Sequence, residues 1–300
     1  MRDSIISAQA LTRGQPRPCA CWGCTDPLTS APVGTEGNSS AAREACYDVD
    51  PSDLPAAFSV RFEMYFGGDQ RAFTVRVNTS WAPPFAARFW QLAHLGFWED
   101  AALFRPDYRN SSTSFVVQTG LAATPIWNAL WTLLKTDNAT AVPVVSNTRG
   151  FVSWAMDAVG CSSGSSSGDD NPCAPYRPAC TSDEYCAVNF TSQFFVNYAD
   201  NSRLDANGFA PFGQVDEEGK ATLEDIGFVL GNLYGELSDI CCCDPPDSLA
   251  PYCIFDPETG QSRGVNSTRY AALGSPYLRL GGQFQAMYDL RIRTVEVVST

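Results

Sequence analysis

Twelve cysteines carry the most evident chemistry of this 300-residue chain, and they fall into three groups of four. Cys19, Cys21, Cys24 and Cys46 lie near the N-terminus, Cys161, Cys173, Cys180 and Cys186 at mid-chain, and Cys241, Cys242, Cys243 and Cys253 near the C-terminus. Each group is even and sits among Gly, Pro, Ser and Asp, as thiols do when they pair oxidatively to staple loops. Cys19-x-Cys21-x-x-Cys24 with Cys46 could instead hold zinc. No second paired knuckle accompanies it, and an oxidising compartment favours disulfides, so no metal and no cofactor is expected. Six Asn-x-Ser/Thr sequons, at Asn38, Asn78, Asn110, Asn138, Asn189 and Asn266, agree with that compartment. Together they indicate a eukaryotic secretory route with N-linked glycans. Asn189 abuts an expected core strand and is the least favoured acceptor.

Other chemistry is excluded. The single histidine, His94, leaves no metal site built from several histidines. In the helix that holds it, its plain reading is a partly exposed residue whose charge suits the C-terminal end of the dipole. A net charge of -13 argues against nucleic acid and anionic membrane surfaces as partners. No stretch is long and apolar enough to span a bilayer. Met1 to Pro18 has no apolar run of signal-peptide length, and an extracellular, unanchored protein is the simplest localisation.

With 44% hydrophobic and 18% charged residues the chain can bury a sizeable core. Residues 1–56 read as a Cys-rich irregular arm without periodicity, and residues 57–300 as the structured domain. Phe58, Val60, Phe62, Met64 and Phe66 alternate with polar residues, as in a half-buried strand. Gly67-Gly68-Asp69-Gln70 turns the chain into a returning strand carrying Phe73, Val75 and Val77. Pro83-Pro84 opens a helix with Phe85, Phe89, Leu92 and Ala93 on one face, and Gly96 ends it. Short strands are expected over 115–118, 151–156 and 193–198, a second helix over 222–233, and a terminal strand over 287–298 with Leu290, Ile292, Thr294 and Glu296 alternating. Trp127 and Trp131 read as aromatic packing, with a binding patch as the other reading. Two Cys-rich insertions interrupt the plan, at about 158–189 and 239–270. The fold class is therefore mainly β, a barrel capped by two helices, with disulfide-rich loop insertions.

Thr191-Ser192-Gln193-Phe194-Phe195-Val196 is followed by Asn201-Ser202-Arg203-Leu204-Asp205 and then Phe212-Gly213-Gln214-Val215. Upstream stand Phe104-Arg105, Phe115-Val116-Val117-Gln118 and Gly150-Phe151-Val152-Ser153-Trp154-Ala155. In this order the residues resemble the cyclophilins, the peptidyl-prolyl cis/trans isomerases, from Phe58 to Val298. The resemblance implies an eight-stranded antiparallel barrel with a helix at each end and an active groove on its outer face. It implies that Arg105 is the catalytic guanidinium and that Phe115, Val116, Phe195 and Leu204 form a slot for the proline ring. Gln118 and Gln193 would hold the substrate carbonyl and orient Arg105. Ala155 would contact the residue before proline, and Phe209 would form a wall where the family often carries an imidazole. Met156 replaces a common asparagine, Arg203 a common Trp or His, and the segment between Arg105 and Phe115 is long and carries the Asn110 sequon.

The implied reaction explains the residue types. Rotation about an X-Pro bond crosses a barrier of about 18–20 kcal/mol set by amide resonance. A guanidinium aimed at the prolyl nitrogen draws its lone pair out of resonance, with no nucleophile and no metal required. Two functions follow. One is a secreted isomerase acting on proline-containing peptide or protein segments. The other is a cyclophilin fold reused as a structural subunit of a coat, matrix or filament, self-assembling through the N-terminal arm.

Overall fold

Strand β1 (Ala57–Phe66) and strand β2 (Asp69–Asn78) form the expected hairpin, antiparallel from Ala57 opposite Asn78 to Phe66 opposite Asp69. Gly68 adopts a φ of +92° in the connection, a conformation a side chain would resist. Phe58, Val60, Phe62 and Met64 of β1 and Phe73, Val75 and Val77 of β2 are buried, which realises the period-two pattern. The computed structural model of the chain describes residues 51–66, 68–108, 114–125, 127–129, 131, 141–160, 185–239, 265, 267–279 and 288–298. Eleven of the twelve cysteines lie outside these residues, as do Asn38, Asn110, Asn138 and Asn266.

Helix α1 (Pro83–His94) starts with prolines in its first turn, where their missing N–H groups cost nothing. It buries Phe85, Phe89, Leu92 and Ala93. Phe89 reaches Phe212 at 4.9 Å, Trp98 at 5.0 Å and Phe194 at 5.4 Å between ring centroids. Phe62 stacks on Phe73 at 4.7 Å, so the interior is filled chiefly by aromatic rings. Pairs of this kind add about 0.5–1.5 kcal/mol beyond the area they bury.

The remaining strands are β3 (Arg105–Pro106), β4 (Val116–Thr119), β5 (Phe151–Gly160), β6 (Tyr185–Asn197), β7 (Gly213–Val215) and β8 (Ile292–Val298). They join the hairpin in one eight-stranded sheet of order β3-β4-β6-β5-β7-β2-β1-β8, and every pair is antiparallel. The segment leading into edge strand β3 nevertheless reaches edge strand β8. Asp100 N–H donates to the Ile292 carbonyl and Ile292 N–H donates to the Ala101 carbonyl, both at 2.8 Å. The segment feeding β3 is thus stitched to the start of β8, which requires the sheet to curl on itself. Helix α2 (Glu217–Asp239) packs on β2 and β3.

Three segments differ from the expectation. Strands β5 and β6 pair as far as Gly160 opposite Tyr185, so residues 158–160 and 185–189 are a ribbon rather than loop. The register slips opposite Asn189, which takes a φ of +53°, a bulge that asparagine tolerates better than most residues. In β8 the face changes after Ile292, which is buried, to Val295 and Val297, while Thr294 and Glu296 face solvent. The register shift opposite Glu63 and Met64 causes this. Finally, helices α3 (Ser267–Leu273) and α4 (Pro276–Arg279) follow the second insertion. Their apolar periods were too short to read. Trp131 is fully buried and donates to the Thr191 carbonyl at 3.3 Å, which makes it a core residue.

Candidate active site

Adjacent residues of β6 point to opposite faces of the sheet. Phe194 enters the aromatic interior, whereas Phe195 and Gln193 face outward. Cross-strand register extends that outer row. Arg105 of β3 stands opposite Gln118 of β4, Gln118 opposite Phe195 of β6, and Phe195 opposite Ser153 of β5. Residues far apart in sequence, such as Gln118 and Phe195, are therefore neighbours on one surface.

Along this row an apolar cluster forms. Val116, Phe195 and Leu204 are buried against one another, with Phe115, Ala155 and Phe209 packed partly exposed around them. These are the six residues expected to form the slot and its walls. Phe209 meets Phe195 edge-on at 5.9 Å. Beside the cluster, Gln118 Nε2 donates to Gln193 Oε1 at 2.9 Å, and Gln118 Oε1 faces Arg105 Nη1 at 3.4 Å. Arg105 is exposed at the mouth of the arrangement. Chemically, the group consists of a fixed positive charge, amide dipoles that aim it, and an apolar surface beside them.

Glycine holds β4 and β6 close here. Gly120 has a φ of +113°, and a Cβ at this position would collide with the Ser192 carbonyl and the Gln193 backbone. The short 3-10 helix Ser202–Asn207 presents Leu204 and ends at Gly208 in the left-handed region. Arg203, on the same turn, places its guanidinium 4.8 Å from the Phe115 ring centroid and donates to Asn201 Oδ1 at 2.8 Å. It therefore covers part of the Phe115 face.

A buried polar network supports the slot, and the sequence reading missed it. Asn147 is fully buried. Its Nδ2 donates to Asp205 Oδ1 at 2.7 Å and to the Phe209 carbonyl at 2.6 Å. Its Oδ1 accepts from Ser153 Oγ at 2.8 Å and Asn197 Nδ2 at 3.2 Å. Asn201 Nδ2 donates to the Phe115 carbonyl at 2.8 Å. Asp205 also accepts from the Asn147 N–H at 2.9 Å and from Ser146 Oγ. The network ties the strands carrying Ser153 and Asn197 to the turn carrying Leu204 and Phe209. Only the clustering of Asn147, Asn197 and Asn201 near apolar strand ends could have signalled it.

Other expected residues sit apart from the slot. Cys186, the one cysteine among the described residues, is buried and disulfide-bonded. The Asn78 side chain accepts from the N–H and Oγ of Ser80 at 3.0 and 2.8 Å. His94 is half-buried in the last turn of α1. Its ring lies 4.2 Å from that of Trp90, and its Nδ1 donates to the Trp90 carbonyl at 2.9 Å. Burial lowers its pKa despite that hydrogen bond, which works against the charged form that a helix C-terminus would favour. Among the described residues no group of three His, Cys, Asp or Glu side chains could hold a metal ion, and no helix is long and apolar enough to cross a membrane.

The chain is similar to several solved cyclophilin structures. A cyclophilin-type peptidyl-prolyl cis-trans isomerase of Cryptosporidium parvum is 18% identical, covering 57% of this chain and 85% of that one, with a TM-score of 0.36. A structure of such an isomerase from the same organism in the presence of the dipeptide Ala-Pro gives 18% identity, 56% and 85% coverage, and a TM-score of 0.35. The Mimivirus cyclophilin is 14% identical, with 60% and 85% coverage and a TM-score of 0.39. No protein-family model and no curated protein matches the chain.

Proposed function

We propose that this protein is a divergent, secreted peptidyl-prolyl cis/trans isomerase. The observation that carries the reading is the relay from Gln193 through Gln118 to the exposed Arg105 beside the Val116–Phe195–Leu204 cluster. A proline ring on the cluster would bring its imide nitrogen toward Arg105. The guanidinium would then favour the twisted amide, whose nitrogen has recovered its lone pair, over either planar isomer. Substrates would be proline-containing peptide or protein segments. The three cysteine groups and six sequons support passage through the secretory pathway, where disulfides and N-linked glycans would protect the insertions.

A protease-coupled assay on a short X-Pro peptide tests this with the intact glycosylated protein. Acceleration is expected, and Arg105→Ala should reduce it by about 100-fold or more, as loss of a transition-state donor does. No acceleration by a demonstrably folded protein sinks the reading.

The position of Arg203 over Phe115 favours a second function. With its slot partly covered by its own side chain, the domain would serve as a structural subunit, linked to neighbours through the Cys-rich arm. Concentration-dependent assembly that persists in the Arg105→Ala variant is the expected result. A monomer at all concentrations excludes it.

A further inference from the structure

On the far side of the seam from Gln118 stands a cationic cluster that the isomerase reading does not use. Arg291 precedes β8, and its side chain is only 8% exposed. Among the described residues its buried Nη1 has no hydrogen-bond partner. Arg293 lies two residues on, and its Nε is likewise buried and unpartnered. Both guanidinium groups converge on one carboxylate oxygen, Asp100 Oδ1, at 3.4 Å from Arg291 Nε and 3.6 Å from Arg293 Nη1. A third, Arg279 of α4, lies 5.1 Å from the Tyr288 ring, whose face Arg291 covers at 3.5 Å.

Buried guanidinium donors are rarely left unpaired, because no water replaces the lost hydrogen bond. Two arginines share the single carboxylate oxygen Asp100 Oδ1, and Arg279 adds a third cation around Tyr288. The frame is rigid. Ile292, between the two arginines, exchanges backbone hydrogen bonds with Asp100 and Ala101, and Ser275 Oγ donates to the Asp100 carbonyl at 2.7 Å. Asp100 itself is held at a φ of +59°. The donors are therefore organised in advance of any ligand.

We infer that Arg291 and Arg293, with Arg279 nearby, form a binding site for an oxyanion of the phosphate or sulfate class. Guanidinium donors on two side chains suit oxygens that point in several directions. Three cations against Asp100 suit a doubly charged anion better than chloride. Asp100 Oδ1 is the repulsive element, and it sets the affinity.

Isothermal titration of the intact protein with inorganic phosphate and inorganic sulfate, at ionic strength fixed with sodium chloride, tests the site. Saturable binding is expected. Arg293→Gln should weaken it about tenfold, as loss of one charge-assisted donor does. Asp100→Asn should tighten it, and asparagine tolerates the backbone conformation. Both variants are to be checked for folding by near-UV circular dichroism, and Arg293→Gln decides alone if Asp100→Asn does not fold. Methyl phosphate binding as well as phosphate places the natural ligand on a larger carrier, and its exclusion places it as a free ion. Phosphate and sulfate binding no better than chloride, or an affinity indifferent to Arg293→Gln, overturns the assignment.

Discussion

Gln118 and Gln193 stand side by side on β4 and β6, and the Gln118 amide donates to the Gln193 amide oxygen at 2.9 Å. That hydrogen bond turns the Gln118 oxygen toward Arg105. Gln118→Met should keep the volume and remove both interactions. A hydrogen bond to a charged group contributes about 1.5–3 kcal/mol, so kcat/KM for X-Pro isomerisation should fall about 10- to 100-fold. The melting temperature should hardly change, because Gln118 is only partly buried. Stopped-flow peptide assays and thermal melts on the same preparation check both parts. Unchanged kinetics would mean that Gln118 does not position Arg105.

Asn147 bonds β5, β6 and the Leu204 turn at once. Asn147→Ala takes from the buried Ser153 hydroxyl its Asn147 acceptor and removes one bond each from Asp205, Asn197 and the Phe209 carbonyl. Each buried polar group so orphaned costs about 1–3 kcal/mol, and the variant should lose at least ~2 kcal/mol in urea unfolding. On the proposed isomerase reading it should also raise KM for the peptide more than it lowers kcat, since Leu204 and Phe209 belong to the apolar cluster that would take the proline ring and Arg105 is not bonded to the network. Equal loss in both constants would show that the network aims the catalytic group instead.

The period-two runs in β1 and β2 and the proline-started α1 were legible in the chain because each is local: residues two or four apart report the same face. The meeting of the apolar cluster was legible only through residue order. Val116, Phe195 and Leu204 are ordinary apolar residues, and their meeting depends on register across β4 and β6. The Asn147 network was invisible for a different reason. Buried asparagines look like loop residues until the groups they satisfy are known. The seam at Asp100 and Ile292 and the cluster around Arg291 are long-range in the same sense, joining residues almost two hundred positions apart. Asn189 shows the limit of pattern reading, since a bulge changes which residues face inward without changing composition.

Gly120 and Gly68 both have positive φ, but only one is crowded. At Gly68 a Cβ would meet nothing within 4 Å, whereas at Gly120 it would strike the Ser192 and Gln193 backbone. Gly68→Ala should therefore cost only the backbone strain, about 1 kcal/mol, and leave isomerisation intact. Gly120→Ala must push β6 away from β4. It should cost more than ~2 kcal/mol and disturb Gln193, so that stability and kcat fall together. Parallel denaturation and kinetic measurements distinguish the two, and similar losses at both sites would contradict the crowding.

His94 gives the fold a defined acid sensitivity. Burial pushes its pKa down, against the hydrogen bond to the Trp90 carbonyl. In the unfolded chain it titrates near the ordinary value of about 6.5. Between the two values the unfolded state binds more protons, so stability rises with pH across that interval. The contribution of His94 is fully present above about pH 6.5 and is lost as pH falls toward the folded pKa. Glu99 acts in the opposite direction, because burial and then the charge of Asp100 raise its pKa and favour its neutral form. The histidine term is therefore best read as a difference. Wild-type protein should lose melting temperature on acidification below about pH 6.5 faster than His94→Gln. As this is the chain's single histidine, one imidazole resonance followed by NMR should titrate below the ordinary value. A resonance titrating at or above it would contradict the half-buried ring's preference for the neutral form.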